Sequence, residues 1–216
     1  MNEKDLFIAN RVADIIHTLI TKYGYKEIKI LDINSHPEMI KMIENTYRVK
    51  YNIPSNEKMP WIVDAVAEEG IGKGIYRNYY TCYEDVEDRY DIIIADKILD
   101  REGGEAEFIL LFAYIVDYWS KKQTILYVGG VNRANITVRG RGADLEKLKK
   151  IAAAMLEDKV CLAFIYGLAD VKPFKIWKIP IKGIAFKILK PILKKINRGK
   201  PYYYVFEFVF TGEIEE

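Results

Sequence analysis

Short runs of consecutive apolar residues alternate along this 216-residue chain with longer stretches in which apolar residues recur every three or four positions. The runs predict strands buried on both faces, and the longer stretches predict amphipathic helices that pack against a sheet. Strands are predicted at residues 28–33, 48–53, 75–82, 90–95, 124–128, 160–166 and 202–210, and helices at 5–22, 60–69, 103–120, 142–157 and from Pro37 onward.

Strand and helix alternate about five times before the two closing strands, which favours a doubly wound α/β fold with a mostly parallel sheet. No internal repeat or low-complexity tract interrupts this pattern. A single domain is therefore predicted over residues 1–216, with an inserted basic amphipathic segment at 172–200 between the last two strands.

The composition is that of a globular protein, with 50% hydrophobic and 30% charged residues. The chain contains no run of about 18 uncharged apolar residues, so no transmembrane span is predicted. The first residues lack the features of a signal peptide, so a cytoplasmic location is expected. Cys82 and Cys161 have no CxxC spacing and are predicted to be buried apolar residues. Because there are only two histidines, His17 and His36, no metal site is predicted. The single glutamine and the many lysines and glutamates resemble the composition of thermophile proteins.

Acidic residues stand at the ends of predicted strands. Asp32 closes the first strand, Asp96 follows the strand at 90–95, and Asp85 lies in the turn before it. A carboxylate at the carboxyl end of a parallel strand is placed to pair with an ammonium group or to accept hydrogen bonds from ribose hydroxyls. The alternative is that these residues cap helices or stabilise turns.

Two segments carry a family resemblance, Ile30-Leu-Asp-Ile33 and Tyr90-Asp-Ile-Ile-Ile-Ala-Asp-Lys-Ile-Leu99. Together with the two closing strands, they resemble the first and fourth motifs of the Rossmann-like S-adenosylmethionine-dependent methyltransferases. This resemblance implies a seven-stranded sheet with an antiparallel last strand, and S-adenosylmethionine as cofactor. The residues that it implies in cofactor binding are Asp32, Asn34, Asp85 and Asp96, with Asp85 at the position that contacts the adenine amine.

The sequence also departs from that family. The positions of its glycine-rich loop hold Asn34, Ser35, His36, Pro37 and Glu38. Two interpretations follow: the cofactor binds differently, or the fold is retained without catalysis. His36 is a base candidate at this position, but the favoured account is an ordinary residue at the start of the helix beside Pro37.

Two further expected features of the family are missing. No clear acid ends the predicted second strand, where the family holds the ribose hydroxyls; Glu57 and Asn52 are the nearest candidates. An Asn/Asp-Pro-Pro-Tyr element is also missing, so the exocyclic amino group of a base is not indicated as the target.

Positive charge is concentrated in one segment. Of the 33 basic residues, nine lysines and Arg198 fall between residues 172 and 200, where no acid occurs, while the other 23 are set against 31 acidic residues. Isoleucines and leucines between 181 and 196 share one helical face, and Lys187, Lys190, Lys194 and Arg198 lie opposite. Pro191 predicts that this helix kinks or restarts.

Three roles are open for this segment: a helix packed on the sheet with solvated lysines, contact with a nucleic-acid backbone, or binding flat on an anionic membrane. A second basic feature, the loop after the strand at 124–128, carries Arg133, Arg139 and Arg141. These arginines either hold phosphate groups or belong to a solvated connection.

The sequence thus predicts an S-adenosylmethionine-dependent methyltransferase-like protein that acts on or contacts a polyanionic partner, in particular nucleic acid. The alternative is a non-catalytic binding module of the same fold, for nucleic acid or an anionic membrane surface. The catalytic residues and the oligomeric state are not predicted.

Overall fold

The computed structural model describes residues 3–33, 37–67, 71–72, 74–100, 103–135, 138, 142–156, 161–168, 174–176, 179–181, 183–198 and 200–210. The helices within these residues are α1 (Glu3–Tyr23), α2 (Pro37–Tyr51), α3 (Gly104–Tyr114), α4 (Leu145–Leu156) and α5 (Gly183–Ile196). The strands are β1 (Ile28–Ile33), β2 (Trp61–Val66), β3 (Tyr79–Tyr80), β4 (Tyr90–Ile94), β5 (Ser120–Val131), β6 (Cys161–Leu168), β7 (Phe174–Ile176), β8 (Ile179–Ile181) and β9 (Tyr203–Phe210).

Seven strands form one sheet in the order β3-β2-β1-β4-β5-β9-β6. The first five of these pair in parallel, and β9 runs antiparallel to both of its neighbours, β5 and β6. This is the doubly wound, mostly parallel seven-stranded sheet with an antiparallel last strand that the sequence predicts. Because β1, β2, β4 and β5 are parallel, their carboxyl ends lie at one edge, here called the carboxyl edge.

Both faces of the sheet are covered, and each covering layer has its own core. On one face α1 and α2 pack against β1 and β2, with Ile8, Ile16 and Ile40 among the buried side chains. On the other face α3 and α4 cover β4, β5 and β9, and their core includes Phe108 and Trp119. Helices on both faces explain why β1 and β4 have almost no exposed side chain and are predominantly apolar.

Two predicted elements between β1 and β3 are wrong. Residues 48–53, predicted as a strand, mostly belong to the end of α2, and residues 60–69, predicted as a helix, contain β2. Val49, Tyr51 and Ile53 mimic a strand by alternating with polar residues, but Tyr47 and Tyr51 continue the helical face of α2 and Val49 is 81% exposed. The strand predicted at 75–82 shortens to β3.

The inserted segment between β6 and β9 contains a small two-stranded sheet and a helix. β7 and β8 pair with each other in antiparallel fashion, and α5 follows them. Pro191 lies inside α5, which runs through it as one helix without restarting. Among the helices of the described residues, none has the length and apolar content needed to cross a membrane.

Candidate cofactor site at the carboxyl edge

Asp32 occupies the middle of the carboxyl edge. It lies near the end of β1, paired in register with Ala65 of β2 on one side and Ile94 of β4 on the other. Its side chain is only 2% exposed. The fold therefore places a carboxyl group where an open α/β sheet forms its binding crevice, outside the strand ends and beside the point where strand order reverses.

The Asp32 carboxyl group is only half satisfied. The Tyr76 hydroxyl donates a 2.6 Å hydrogen bond to Oδ2, while Oδ1 is buried and has no hydrogen-bond partner among the described residues. Burial raises the pKa of Asp32 to about 8; the Tyr76 hydrogen bond opposes this rise, and repulsion from Asp96 adds to it. A charged carboxylate is therefore disfavoured here until a cation or further donors reach Oδ1.

Tyr76 reaches Asp32 because Gly72 lets its segment pack closely on the start of α2. Gly72 has a φ of +72°, and a Cβ added there would lie 2.6 Å from Pro37 Cγ and 2.8 Å from Tyr76 Cε2. Only glycine suits both this backbone conformation and this contact. The close approach at this edge is thus provided by a glycine after β2, and not by a glycine-rich loop after β1.

Asp96 is a second buried carboxylate at the same edge, just after β4. Its side chain is 1% exposed, and the Lys4 ammonium lies 3.4 Å from its Oδ2 and donates a 2.7 Å hydrogen bond to its backbone carbonyl. Lys4 is itself 2% exposed. Burial acts to lower the pKa of Lys4, but the charges of Asp96 and Asp100 outweigh it and raise that pKa above its usual value.

Lys4 ties α1 to the ends of β4 and β5. A Cβ at Gly129 would lie 2.9 Å from Lys4 Cδ, so the lysine stem runs across the glycine near the end of β5. Asp100 contacts Lys4 through Oδ2 and accepts the Val131 N–H through Oδ1 at 2.8 Å. Lys4 is not predicted as a site residue from the sequence, because the apolar period that indicates the first helix begins only at Asp5.

A small cavity of about 180 Å³ opens beside Asp96. It lies between the start of α1, the first turns of α2 and the end of β4, and its lining residues are Asp5, Glu38, Met39, Met42, Asp96 and Lys97. Typical small-molecule pockets have volumes of roughly 300–1,000 Å³. In this conformation the cavity therefore accommodates only part of a nucleoside-containing cofactor.

Of the other predicted cofactor residues, Asp85 is not brought into this group. Asp85 is exposed in a 3-10 turn, Tyr83–Asp85, and accepts a hydrogen bond from the Cys82 thiol. Glu84 of the same turn accepts a hydrogen bond from the Tyr114 hydroxyl of α3, and among the described residues no hydrogen bond or ion pair joins Asp85 to Asp32 or Asp96. Asn34 lies outside the described residues. The prediction that Cys82 is buried is wrong, because its thiol is exposed within this turn.

The corrected position of β2 identifies two acids that the sequence analysis overlooked. Glu68 and Glu69 follow β2 after a single residue, Ala67, although both lie outside the described part of the chain. In the sequence they occupy the position after the second strand at which the family resemblance leads us to expect an acidic residue. The sequence feature that indicates β2 is the run from Trp61 to Val66, which is rich in aromatic and β-branched residues, as is typical of a strand.

The predicted partner-binding arginines are only partly described. Arg133 is 56% exposed and forms an ion pair with Glu105 at 3.1 Å. Arg139 and Arg141 lie outside the described residues. Lys187, Lys190, Lys194 and Arg198 are all exposed on or directly after α5.

The loop after β5 and the end of α5 meet at the carboxyl edge. Asn135 Nδ2 donates a 2.7 Å hydrogen bond to the Lys200 carbonyl, and the Asn132 N–H bonds the Tyr202 carbonyl at 2.9 Å. The register then pairs Tyr203 with Val131 at the end of β5 and with Leu168 at the end of β6. The basic helix therefore leads back into the sheet at the edge that carries Asp32 and Asp96.

Sequence comparison identifies no relative, since no protein-family model and no curated protein matches the chain. Solved structures do match it. The plantazolicin methyltransferase BpumL, in complex with a monoazolic desmethylPZN analogue and SAH, aligns with a TM-score of 0.56 at 12% identity, over 97% of this chain and 86% of that one. A putative O-methyltransferase from Nostoc punctiforme PCC 73102 aligns with a TM-score of 0.52 at 8% identity, over 95% of this chain and 56% of its own. At such low identity the shared property is the fold, and this chain has the Rossmann-like fold of the S-adenosylmethionine-dependent methyltransferases.

Proposed function

We propose that the protein binds S-adenosylmethionine at the carboxyl ends of β1 and β4 and transfers a methyl group to an acceptor associated with a polyanionic partner. The observation that carries this proposal is Asp32 Oδ1, a buried carboxylate oxygen without a partner at the strand end where this fold forms its binding crevice. A buried polar atom without a partner costs folding free energy, and a ligand that bonds to it recovers that cost.

Asp32 is the residue expected to hold the ammonium of the methionine moiety. An ammonium at Oδ1 favours the ionised carboxylate and so offsets the cost of burying its charge. Asp96 lies on the neighbouring strand end, and Lys4 neutralises it and fixes its position. We include Glu68 and Glu69 as candidates for the ribose hydroxyls, because they follow β2 in sequence.

S-adenosylmethionine supplies a methyl group that is already activated on a sulfonium, so the protein has mainly to align the acceptor with it. Such alignment accelerates a reaction without a dedicated base. The Tyr76 side chain stands at Asp32, and the cavity beside Asp96 is small. We therefore expect that cofactor binding displaces Tyr76 from Asp32.

The polyanionic partner is the second part of the proposal. The exposed cations Lys187, Lys190, Lys194 and Arg198 support it, with Arg139 and Arg141 as sequence candidates. Arg133 contributes less, because Glu105 already pairs with it. A cluster of cations without intervening acids attracts phosphate-bearing partners.

The second candidate function is a non-catalytic binding module. It is favoured by one observation: the Tyr76 hydroxyl occupies Oδ2 of Asp32, so an internal group already uses half of the proposed cofactor contact. Such a module would bind its partner through the basic segment and would have no affinity for the cofactor.

Calorimetry with S-adenosylmethionine and S-adenosylhomocysteine separates these functions. We expect the unaltered protein to bind both, and Asp32→Ala to bind each at least tenfold more weakly. Asp88→Asn, which removes a partly exposed carboxylate paired with Lys29, is the matched control and should bind like the unaltered protein. If neither compound binds at millimolar concentration, the methyltransferase proposal is wrong. Binding that Asp32→Ala leaves unchanged would refute the assigned site.

A further inference from the structure

Helix α5 carries two apolar stripes, and only one of them is covered. Leu193 is buried and Leu189 is half-buried, so this side of the helix packs on the protein. Ile188, Ile192 and Ile196 follow one another at intervals of four residues and are 68%, 57% and 53% exposed. Residues at this spacing lie along one side of a helix. The sequence places these apolar residues on one helical face without fixing what covers it; in the structure part of that face packs on the protein, and a stripe of isoleucine faces solvent.

The exposed isoleucines lie within the most basic part of the molecule. Lys187, Lys190, Lys194 and Lys195 are all exposed on the same helix. Lys195 comes three residues after Ile192, so it borders the stripe, whereas Lys187, Lys190 and Lys194 lie on the opposite side of the helix. The nearest acids along the chain are Asp170 and Glu207.

The helix is also held at a functionally important position. Lys200, four residues after the end of the helix, accepts a hydrogen bond from Asn135 in the loop after β5, and the chain then enters β9, two strands from β4. At roughly 4.8 Å per strand, this is a lateral distance of roughly 10 Å from the strand that Asp96 follows. A surface that contacts α5 would therefore come close to the carboxyl edge.

We propose that α5 lies flat on an anionic membrane surface, with its isoleucine stripe among the lipid headgroups and acyl chains and its lysines near the lipid phosphates. Neutralising the phosphates of a nucleic acid requires only the lysines, and a row of branched aliphatic side chains gains nothing beside a hydrated backbone. An interfacial helix requires both, because apolar burial and charge attraction add. Lys195 reaches the headgroups from beside the stripe, and the lysines on the opposite side act through the charge of the anionic surface, which extends over roughly 10 Å at about 0.1 M salt.

Docking in this way turns the carboxyl edge toward the lipid. The methyl acceptor would then be carried by the membrane, as an amphiphile whose reactive group lies at the interface. This last step rests on the proposed function, whereas membrane docking itself does not.

Vesicle co-sedimentation without cofactor tests the inference. We expect binding to vesicles of phosphatidylcholine with phosphatidylglycerol, and at least tenfold weaker binding to phosphatidylcholine alone. Ile188→Ser with Ile192→Ser should weaken binding about tenfold at low and high salt. Lys187→Gln, Lys190→Gln and Lys194→Gln together should weaken it on the order of 100-fold at low salt, at about fivefold per lysine.

Matched controls lie elsewhere on the surface. Val49→Ser replaces a side chain that is 81% exposed on α2, and the triple variant Lys26→Gln, Lys41→Gln, Lys58→Gln removes the same number of exposed lysines. Both should bind vesicles like the unaltered protein, and thermal unfolding followed by circular dichroism should show that all variants are folded. Equal loss of binding in the controls would refute a specific role for α5.

A nucleic-acid partner predicts a different result. If the protein binds RNA or DNA with steep salt dependence, ignores anionic vesicles, and the double isoleucine variant binds nucleic acid normally, the membrane inference is wrong. Calorimetry with S-adenosylmethionine on that variant keeps the two proposals apart. For the unaltered protein, normal binding of S-adenosylmethionine together with absent binding to anionic vesicles would refute the membrane inference alone.

Discussion

Two buried aspartates on neighbouring strands have opposite surroundings. Asp64 of β2 is 1% exposed, and its oxygens accept hydrogen bonds from the Arg77 guanidinium, the Asn78 N–H and the Tyr90 hydroxyl. Asp32 of β1 is 2% exposed and accepts one hydrogen bond, from Tyr76. Leu31 is the register partner of Asp64, so the two carboxylates are displaced by a single residue along the sheet.

This difference separates a structural carboxylate from a candidate binding group. Asp64 joins β2 to the segment before β3 and to β4, and the charge of Arg77 compensates its burial. Asp32 has no cation in direct contact among the described residues and keeps one oxygen without a partner. If this position served only the stability of the fold, an apolar residue there would make the fold more stable than Asp32 does. Asp32 is therefore better explained as a group that binds a ligand.

The largest expected effect comes from substituting each of these two aspartates separately. Asp64→Ala should lower the free energy of unfolding by about 3 kcal/mol, because the Tyr90 hydroxyl and the Asn78 N–H lose their acceptor and Arg77 loses its partner. Asp32→Asn should instead raise it by more than about 1 kcal/mol at pH 7, because folding no longer has to protonate or bury a carboxylate. Urea unfolding of both variants measures this, and a comparable loss in both would abolish the distinction.

The effect of Asp32 on the free energy of unfolding should also depend on pH. The pKa of Asp32 is raised to about 8 by burial, so between the pKa of the unfolded chain and pH 8 the folded protein holds a proton that the unfolded chain has lost. Asp32 therefore destabilises the fold progressively as pH rises through this range. The stability advantage of Asp32→Asn should accordingly grow from pH 5 to pH 8, and a constant difference would contradict the raised pKa.

Asp96 lies between the two extremes, since it has a cation beside it but no hydrogen bond to its side chain. Lys4→Met should cost about 2 kcal/mol of unfolding free energy at pH 7, because Asp96 is left buried without its counter-charge. Adding Asp96→Asn to that variant should recover at least half of the loss. Because the pKa of Lys4 is raised, its contribution is complete below its unfolded pKa and disappears as pH rises beyond that value. Additive losses in the double variant would show that the two residues act separately.

The last expected effect concerns cofactor affinity. If the cofactor ammonium binds ionised Asp32, the affinity for S-adenosylmethionine should fall about tenfold for each pH unit below pH 8 and level off above it. Calorimetry between pH 6 and pH 9 tests this, with release of a proton below pH 8 as a second readout. Asp32→Asn should bind weakly and without this dependence, and an affinity that does not change with pH would place the ammonium elsewhere.

The sequence predicts the α/β order well where a segment is buried on both faces. β1, β4 and β9 are predominantly apolar runs with one or two charged residues in each, and no helical period competes with them. The region between β1 and β3 is predicted wrongly because the end of α2 alternates apolar and polar residues by coincidence. The hydrophobic periodicity of a short apolar run such as β2 is compatible with a buried strand and with a buried helix. Only its pairing with neighbouring strands determines which of the two forms.

The candidate site is predictable only in part, for a similar reason. Asp32 and Asp96 follow from their positions at strand ends, which are local features of the sequence. Tyr76 and Lys4 reach them across 44 and 92 residues of chain. Such contacts depend on how α1 and the segment after β2 pack on the carboxyl edge, and no local pattern encodes that packing. The requirement for Gly72 becomes visible only with Pro37 and Tyr76 beside it.

The position of β9 in the sheet has a consequence for how the chain reaches its fold. β9 lies between β5 and β6, and it pairs Val209 with Ile125, 84 residues earlier in the chain. Until residues 203–210 have been synthesised, β5 and β6 have no strand to join them, and each presents an open hydrogen-bonding edge. Completion of the sheet is therefore a late and non-local step, of the kind that slows folding. An incomplete chain is left with a gap inside its sheet rather than a shortened edge.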